Sequence, residues 1–295
     1  MFINITTKRK KMKFERLTFY AGKTILIKEK AKRTIEPGRK RAPKMQFTTD
    51  QVWEYNLRQA IFNLALILNA NFVPGDWNLM LTFKEGATME EVKAARDRFV
   101  RKLRDLCKKE GIEFKWVLVP HITGGKYHFH MISNKEVPLR LIKRAWKAGE
   151  VIEKAHMWDN PNYYQLASYL MHEARELRDK KQTSEEEIPF TKRYSHSRNL
   201  YKPVGEPTEL TRLDMEAEPT ARKGYMIDGE VQRYENFING APCREYVQVS
   251  ITDGKTRMKR RNKGTMATGE RMPFYKLLKQ AYREQQESMF DSLEL

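Results

Sequence analysis

The chain has 295 residues, a formal net charge of +18 with neutral histidines, and 40% hydrophobic residues. This length is enough to bury a substantial core in one large domain or two small ones. No apolar run reaches the length of a membrane span, and the N-terminus lacks the apolar core of a signal peptide, so we expect a cytoplasmic protein without a membrane partner. The two cysteines, Cys107 and Cys243, are too few for a disulfide framework and fit a reducing compartment.

Positive charge is concentrated at the N-terminus, where residues 1–46 are predicted to form a basic arm. Residues 1–45 hold 15 lysines and arginines against three glutamates. This excess indicates a polyanionic partner, and the segment lacks the apolar face of a membrane-binding helix. We therefore expect nucleic acid, bound through its phosphates; the alternative is a solvated charged surface without a partner. The candidate binding residues in the arm are Lys8, Arg9, Lys10, Lys11, Arg39, Lys40 and Arg41.

Helix and strand signals alternate after the arm. Thr48 and Gln51 resemble a capping box at the start of a core-facing helix. Residues 78–83 alternate as a strand. A second capping box, Thr88 with Glu91, begins a helix that Gly111 ends. The apolar positions of the first helix are Val52, Tyr55, Ala60, Leu64 and Leu68.

Residues 113–132 predict a β-hairpin. Two apolar, β-branched runs flank Gly124-Gly125, a dipeptide typical of a two-residue hairpin turn. Such a turn sets the register by counting, and Pro120 should interrupt pairing on the other side of its strand. The predicted pairs are Thr123 with Lys126, Ile122 with Tyr127, His121 with His128, and Val119 with His130.

Three histidines share one face of this hairpin. Side chains alternate along a strand, so His128 and His130 lie together, and His121 lies opposite His128. Facing Cβ atoms are roughly 5 Å apart, close enough for the imidazoles to converge on one ion. Imidazole suits several transition metals, so we predict a metal site here; two ordinary polar strand positions are the alternative. The opposite face is predicted core: Trp116, Leu118, Phe129 and Met131.

A helix that presents a tyrosine is predicted further along. A short helix at 138–147 and a brief strand at Val151-Ile152 precede Asn160-Pro161, which we interpret as an N-cap followed by a proline at the first helical position. Leu166, Leu170 and Leu177 mark the buried stripe of this helix. Gln165, Tyr169 and either His172 or Glu173 lie on the adjacent stripe, while Tyr163 and Tyr164 are expected to pack or stack.

The remainder divides into a polar link and a C-terminal region. Residues 180–190 are polar, and the chain then alternates short apolar runs with turns at Asp228-Gly229 and Asn239-Gly240. A basic patch covers 255–263, and a final helix is predicted at about 273–288. Further candidate nucleic-acid contacts are Lys126 in the hairpin and Lys259, Arg260 and Arg261 in the patch.

These features together favour phosphodiester chemistry. A divalent ion held by histidines can polarise a phosphodiester oxygen, and a tyrosine can attack the phosphorus. Free phenol has a pKa near 10, so a nearby ion would help to form the phenolate at neutral pH. A tyrosine nucleophile stores the broken bond as an ester that can later be rejoined, which suits a nicking enzyme.

Three motifs in order, LMLTF, YHFHMI and YYQLASYLMHE, resemble those of HUH-type rolling-circle replication initiators (Rep proteins) of bacterial plasmids, phages and integrative elements. His128 and His130 resemble the HUH motif, and Tyr169 matches the tyrosine of the family's Y-x-x-K motif. The later stretches SRNLYKP and NFINGAPCREY are similar to one branch of these proteins. The resemblance covers about residues 60–250.

The resemblance implies a bacterial α+β protein with a five-stranded antiparallel sheet of ferredoxin/RRM-like topology and flanking helices. It also implies Mg²⁺ or Mn²⁺, site-specific nicking of single-stranded origin DNA, a 5′-phosphotyrosine ester and a 3′-OH that primes synthesis. Host helicase and polymerase would be partners. The implied organisation is a basic arm (1–46), a nicking domain (47–180), a linker with SRNLYKP (181–210) and an accessory region (211–295).

Two departures from the family pattern leave alternatives open. His172 replaces the motif lysine, and it supplies a positive group only when protonated. The third metal ligand, a glutamate in many relatives, is expected to be His121 here, with Glu173 or Gln165 as alternatives. A relaxase or single-strand transposase of the same class, or a non-catalytic origin-binding regulator, are the competing interpretations.

Overall fold

The structure is a computed structural model that describes residues 12–32, 49–171, 193–236 and 240–251. These residues form an α+β protein with two antiparallel five-stranded sheets. No helix among them is long and apolar enough to cross a membrane. In chain order the elements are β1 (Phe14–Ala21), β2 (Thr24–Ala31), α1 (Thr49–Asn71), β3 (Trp77–Thr82), α2 (Met89–Lys109), β4 (Trp116–Thr123), β5 (Lys126–Ser133), α3 (Leu139–Ala145), β6 (Val151–His156), α4 (164–171), β7 (Ser195–His196), β8 (Glu206–Leu210), α5 (Arg212–Glu216), β9 (Tyr225–Glu235) and β10 (Pro242–Ser250).

The strands are divided between two sheets. Sheet A has the order β8-β1-β2-β10-β9, so the hairpin near the N-terminus pairs with strands from the C-terminal part of the chain. The predicted basic arm and the predicted accessory region thus contribute strands to one sheet. Sheet B has the order β6-β3-β5-β4-β7 and contains the histidine hairpin at its centre.

The β4–β5 hairpin confirms the predicted register. His121 pairs with His128 and Val119 with His130. Gly124 and Gly125 have φ angles of 57° and 78°, the left-handed conformation at both turn positions that a type I′ turn requires. The other edge of β4 pairs with β7 only at Val117 and Leu118, as expected from the proline at position 120.

Helix α2 also follows its sequence signals. The side chain of Thr88 accepts the N–H of Glu91, and the Glu91 carboxylate accepts the N–H of Thr88, which forms the predicted capping box. The helix ends at Lys109, and Gly111 follows with a φ angle of 69°. Glycine is favoured at this position because a Cβ atom disfavours the left-handed conformation.

Sheet B is covered on both faces. One face packs on α2 and α3, and it carries the predicted core residues Trp116, Leu118, Phe129 and Met131. The other face joins a core shared with α1, α4 and sheet A. Members of this shared core include Leu26 and Val247 of sheet A, Leu64 and Leu68 of α1, Val119 and Ile132 of sheet B, and Leu170 of α4.

Two local predictions differ from the structure. Val52, predicted on the buried stripe of α1, is exposed, because it lies in the first turns, before Leu57, where the fully buried part of the helix begins. The helix predicted to start at Asn160-Pro161 begins instead at residue 164. Asn69 of α1 accepts the N–H of Tyr163 at 2.8 Å, and this tertiary contact helps to set the later start.

Candidate metal centre

The three hairpin histidines form one compact cluster. Each offers a ring nitrogen, and these atoms lie within 4.8 Å of one another. The ring centroids of His121 and His130 are 4.5 Å apart, those of His128 and His130 5.2 Å, and those of His121 and His128 5.4 Å. The cluster could therefore hold a metal ion, as the hairpin register predicted.

Burial of the cluster is uneven. His121 and His130 have 0% and 3% of their surface exposed, whereas His128 is only partly buried. Three protein ligands leave further positions of an ion open, which is typical of catalytic rather than structural metal sites. The partly exposed His128 marks the side of the cluster from which a solvent molecule or a substrate oxygen has access.

A second contact fixes the orientation of His121. Its Nε2 lies 2.8 Å from the backbone oxygen of Leu170 in α4. A carbonyl oxygen only accepts hydrogen bonds, so Nε2 carries the proton, and in the neutral ring Nδ1 is the nitrogen that can ligate an ion. Metal-ligating histidines usually donate their other N–H to such an oxygen. The donor set and its tautomer thus fit a metal ion.

Tyr169 lies beside this cluster. Its ring centroid is 6.2 Å from that of His130, and the two rings are nearly perpendicular at 88°. Tyr169 is partly buried and packs against the shared core, next in sequence to the Leu170 carbonyl that accepts from His121. Helix α4 therefore brings the predicted nucleophile and the predicted metal ligands together.

The start of α4 is held by asparagines. The side chain of Asn69 accepts the N–H of Tyr163 at 2.8 Å, and that of Asn162 accepts the N–H of Tyr164 at 3.0 Å. The amide of Asn162 also donates to Asp228 of sheet A at 2.8 Å. The first N–H groups of a helix have no partner within the helix, so these side chains satisfy them and fix the position of α4.

Two neighbouring tyrosines have packing roles, as predicted. Tyr163 is buried in the shared core, and its hydroxyl donates to the backbone oxygen of Trp158 at 3.4 Å. Burial raises the pKa of Tyr163 and of Tyr164, and for Tyr164 the nearby carboxylate of Glu245 adds to the effect. Both phenols are therefore held in the protonated form, which is a poor nucleophile.

The other candidates are exposed or lie outside the described residues. Gln165 is exposed, and His172 and Glu173 belong to a part of the chain that the structure does not describe. Lys126 follows the hairpin turn with 68% of its side chain exposed and its Nζ 3.6 Å from Glu85. The remaining candidate nucleic-acid contacts, also outside the described residues, are Lys8, Arg9, Lys10, Lys11, Arg39, Lys40, Arg41, Lys259, Arg260 and Arg261.

Sequence reasoning missed several residues around the site. Met80 and Thr82 of β3 pair with His130 and His128, so they lie on the same face of sheet B as the cluster. Alternation within β3 was visible in the sequence, but the partner strand was not. Asn69 gave no signal, because its role depends on α1 and α4 meeting in space.

Comparisons with known proteins found no relative of this chain. No family model, no curated protein and no solved structure matches the chain. What the protein does is therefore inferred from the cluster, the tyrosine and the sequence motifs that contain them.

Proposed function

We propose that the protein is an HUH-type rolling-circle replication initiator that nicks and rejoins single-stranded DNA at a replication origin. The observation that carries the proposal is the position of the Tyr169 ring, 6.2 Å from His130 in a cluster of three histidines. A nucleophile beside a candidate metal site is the arrangement that metal-assisted phosphodiester cleavage needs. The chain's net charge of +18 supports a polyanionic substrate.

The sheet that holds the site supports the same proposal. The family resemblance implies a five-stranded antiparallel sheet with the H-x-H motif on it, and sheet B has five antiparallel strands with His128 and His130 on its central strand, β5. Helix α4 packs against the histidine face, so the tyrosine follows the motif in sequence and adjoins it in space.

His121, His128 and His130 would hold the ion. Bound there, a divalent ion would polarise a phosphodiester oxygen and favour ionisation of the phenol. Of the two expected ions, Mn²⁺ suits three imidazoles better, because Mg²⁺ dehydrates reluctantly and selects oxygen ligands. The hydrogen bond from His121 to the Leu170 oxygen keeps that imidazole oriented towards the cluster.

The proposed reaction exchanges one phosphate ester for another. The Tyr169 hydroxyl loses its proton and its oxygen attacks the phosphorus, while the bond from phosphorus to the 3′ oxygen breaks. The 3′ oxygen gains a proton and leaves as a 3′-OH that primes host polymerase, and the 5′ phosphate stays on Tyr169. Because an ester replaces an ester, attack by a 3′-OH rejoins the strand. His172, which replaces the lysine of the family motif, would supply a positive group only when protonated.

The test is formation of a covalent adduct. Protein and Mn²⁺ are incubated with single-stranded oligonucleotides that tile the DNA flanking the gene, and products are separated under denaturing conditions. Wild-type protein should give a DNA–protein adduct. Tyr169→Phe should give none, because the nucleophilic oxygen is gone, while its DNA binding stays unchanged. Tyr164→Phe, on the same helix, is the matched control and should keep the adduct. Identical products from wild type and Tyr169→Phe would contradict the proposal.

A further inference from the structure

A second candidate site lies away from the histidine cluster, between α1 and sheet A. A cavity of 170 Å³ opens there, which is small for a drug-sized ligand but suits a group such as a phosphate. Three cations line it, Lys28, Lys30 and Arg58, against one carboxylate, Glu235. Aromatic side chains also line the cavity: Phe19, Tyr55, Phe62 and Tyr234.

One wall of the cavity presents a buried donor that lacks an acceptor. The ammonium of Lys28 donates to the Gln59 side-chain oxygen at 3.1 Å, which identifies the other amide atom of Gln59 as nitrogen. That Nε2 is buried and has no hydrogen-bond partner within the described part of the chain. A buried donor left without an acceptor is destabilising, so the position favours a ligand that supplies an oxygen.

Arg58 provides the positive charge that is not neutralised locally. Its guanidinium lies over the ring of Tyr234, 3.9 Å from the centroid, and it forms no ion pair with the residues that the structure describes. The other two cations do have partners, since Lys28 is 2.7 Å from Glu245 and Lys30 is 3.5 Å from Glu15. A stacked guanidinium with unused N–H groups is well suited to a phosphate oxygen.

The cavity is close to the helix that carries the proposed nucleophile. The charge of Arg58 acts on Tyr164, whose pKa burial raises and Arg58 lowers. Tyr164 is five residues before Tyr169 in α4, a separation of about 7.5 Å along a helix axis at 1.5 Å per residue. The first residue of α4 therefore lies within electrostatic reach of the cavity.

We propose that this cavity binds a phosphate of single-stranded nucleic acid through Arg58 and Gln59, with the adjoining base against Tyr55. Single-stranded nucleic acid is typically bound by such a combination of cations and aromatic rings. The identity of the strand rests on the proposed nicking function, but the chemistry of the cavity does not.

Binding of a short fluorescein-labelled oligothymidylate to the full chain, without metal and at several salt concentrations, tests this site. Arg58→Gln should weaken binding about tenfold, because a charged hydrogen bond is lost. It should also reduce the slope of log affinity against log salt by about 0.7, the value for one phosphate contact on a single strand. Arg98→Gln, which removes the same charge from an exposed position on α2, is the matched control and should leave both quantities unchanged.

Further variants keep the test decisive. Arg58→Lys retains the charge and should restore most of the salt slope. If Arg58→Gln lowers the melting temperature sharply, Lys30→Gln, which changes another cation of the same cavity, should also weaken binding and reduce the salt slope. Equal effects of Arg58→Gln and Arg98→Gln would overturn the inference. Normal binding by Arg58→Gln with an intact adduct would overturn the cavity site alone, whereas an adduct from Tyr169→Phe would overturn the nicking proposal alone.

Discussion

A single buried imidazole connects the candidate metal site to the candidate nucleophile. His121 is fully buried, belongs to the cluster, and bonds through Nε2 to the carbonyl of Leu170, next to Tyr169. The acceptor is a backbone oxygen, so this contact depends on the His121 side chain and on the position of α4. His121 is therefore both a candidate ligand and a positioning residue for α4.

Replacing His121 should remove metal binding. His121→Ala deletes one of three imidazoles, and we expect Mn²⁺ affinity, measured by calorimetric titration, to fall by more than about tenfold. His196→Ala is the control, because His196 lies on the same face of sheet B through its pairing with Val117 but outside the cluster. Equal affinities for wild type and His121→Ala would exclude His121 as a ligand.

At the scale of elements, the position of α4 depends on contacts made before its first turn. Asn69 belongs to α1 and Asn162 to the loop after β6, and both accept N–H groups at the start of α4. These bonds satisfy donors that a helix cannot satisfy itself, so they contribute stability and fix the start of the helix that carries Tyr169.

Asn69→Ala separates these two contributions. Loss of a capping acceptor typically costs about 1 kcal/mol, so the free energy of unfolding in denaturant should fall by about that amount. Thr88→Ala removes the N-cap of α2, on the opposite face of sheet B, and should cost a similar amount.

The two variants should differ in adduct formation. Asn69→Ala should slow the appearance of the DNA adduct, because α4 carries Tyr169, whereas Thr88→Ala should leave its rate unchanged. If both variants reduce the rate equally, the effect is one of stability and Asn69 has no positioning role.

At the scale of the whole molecule, sheet A contains a buried cluster of charged side chains. Glu29 is fully buried and bonds to Arg16 at 2.6 Å, to the guanidinium of Arg244, and to the hydroxyl of Tyr246 at 3.1 Å. Breaking such a buried set is strongly destabilising, because the remaining charges lose their partners. The strands that meet there come from both ends of the described chain, so this cluster links distant segments.

Alkaline pH should therefore weaken the fold. Burial, with the charge of Glu29, raises the pKa of Tyr246 to about 12, whereas an unfolded tyrosine has a pKa of about 10. Below pH 10 both states keep the proton, so Tyr246 adds no pH dependence. Between about pH 10 and 12 only the unfolded state loses it, so stability falls by about 1.4 kcal/mol per pH unit.

Denaturant unfolding at several alkaline pH values measures this slope. Tyr246→Phe should make it shallower by about 1.4 kcal/mol per pH unit over that window, since the ionisable group is gone. Tyr201→Phe, at an exposed position, is the control and should leave the slope as in wild type. An unchanged slope in Tyr246→Phe would show that this phenol is not held in its protonated form by the fold.

Signals confined to neighbouring residues determined much of the site in advance. The Gly124-Gly125 turn and the two-residue alternation of strands were enough to place His121, His128 and His130 on one face, because register in a tight hairpin follows from counting. The Thr88 capping box was equally local. Tyr169 was identified as the candidate nucleophile from its spacing on a predicted helix and from the family resemblance of its motif.

Features that join distant segments of the chain were decided only by the tertiary structure. The pairing of β1 and β2 with β8 and β10, the approach of α4 to the cluster, and the cavity beside Arg58 all join residues far apart in the chain. Short-range periodicity specifies which face of an element is apolar, but it does not specify which element covers that face. The sequence by itself thus determined the histidine cluster, whereas folding decided that a tyrosine lies beside it.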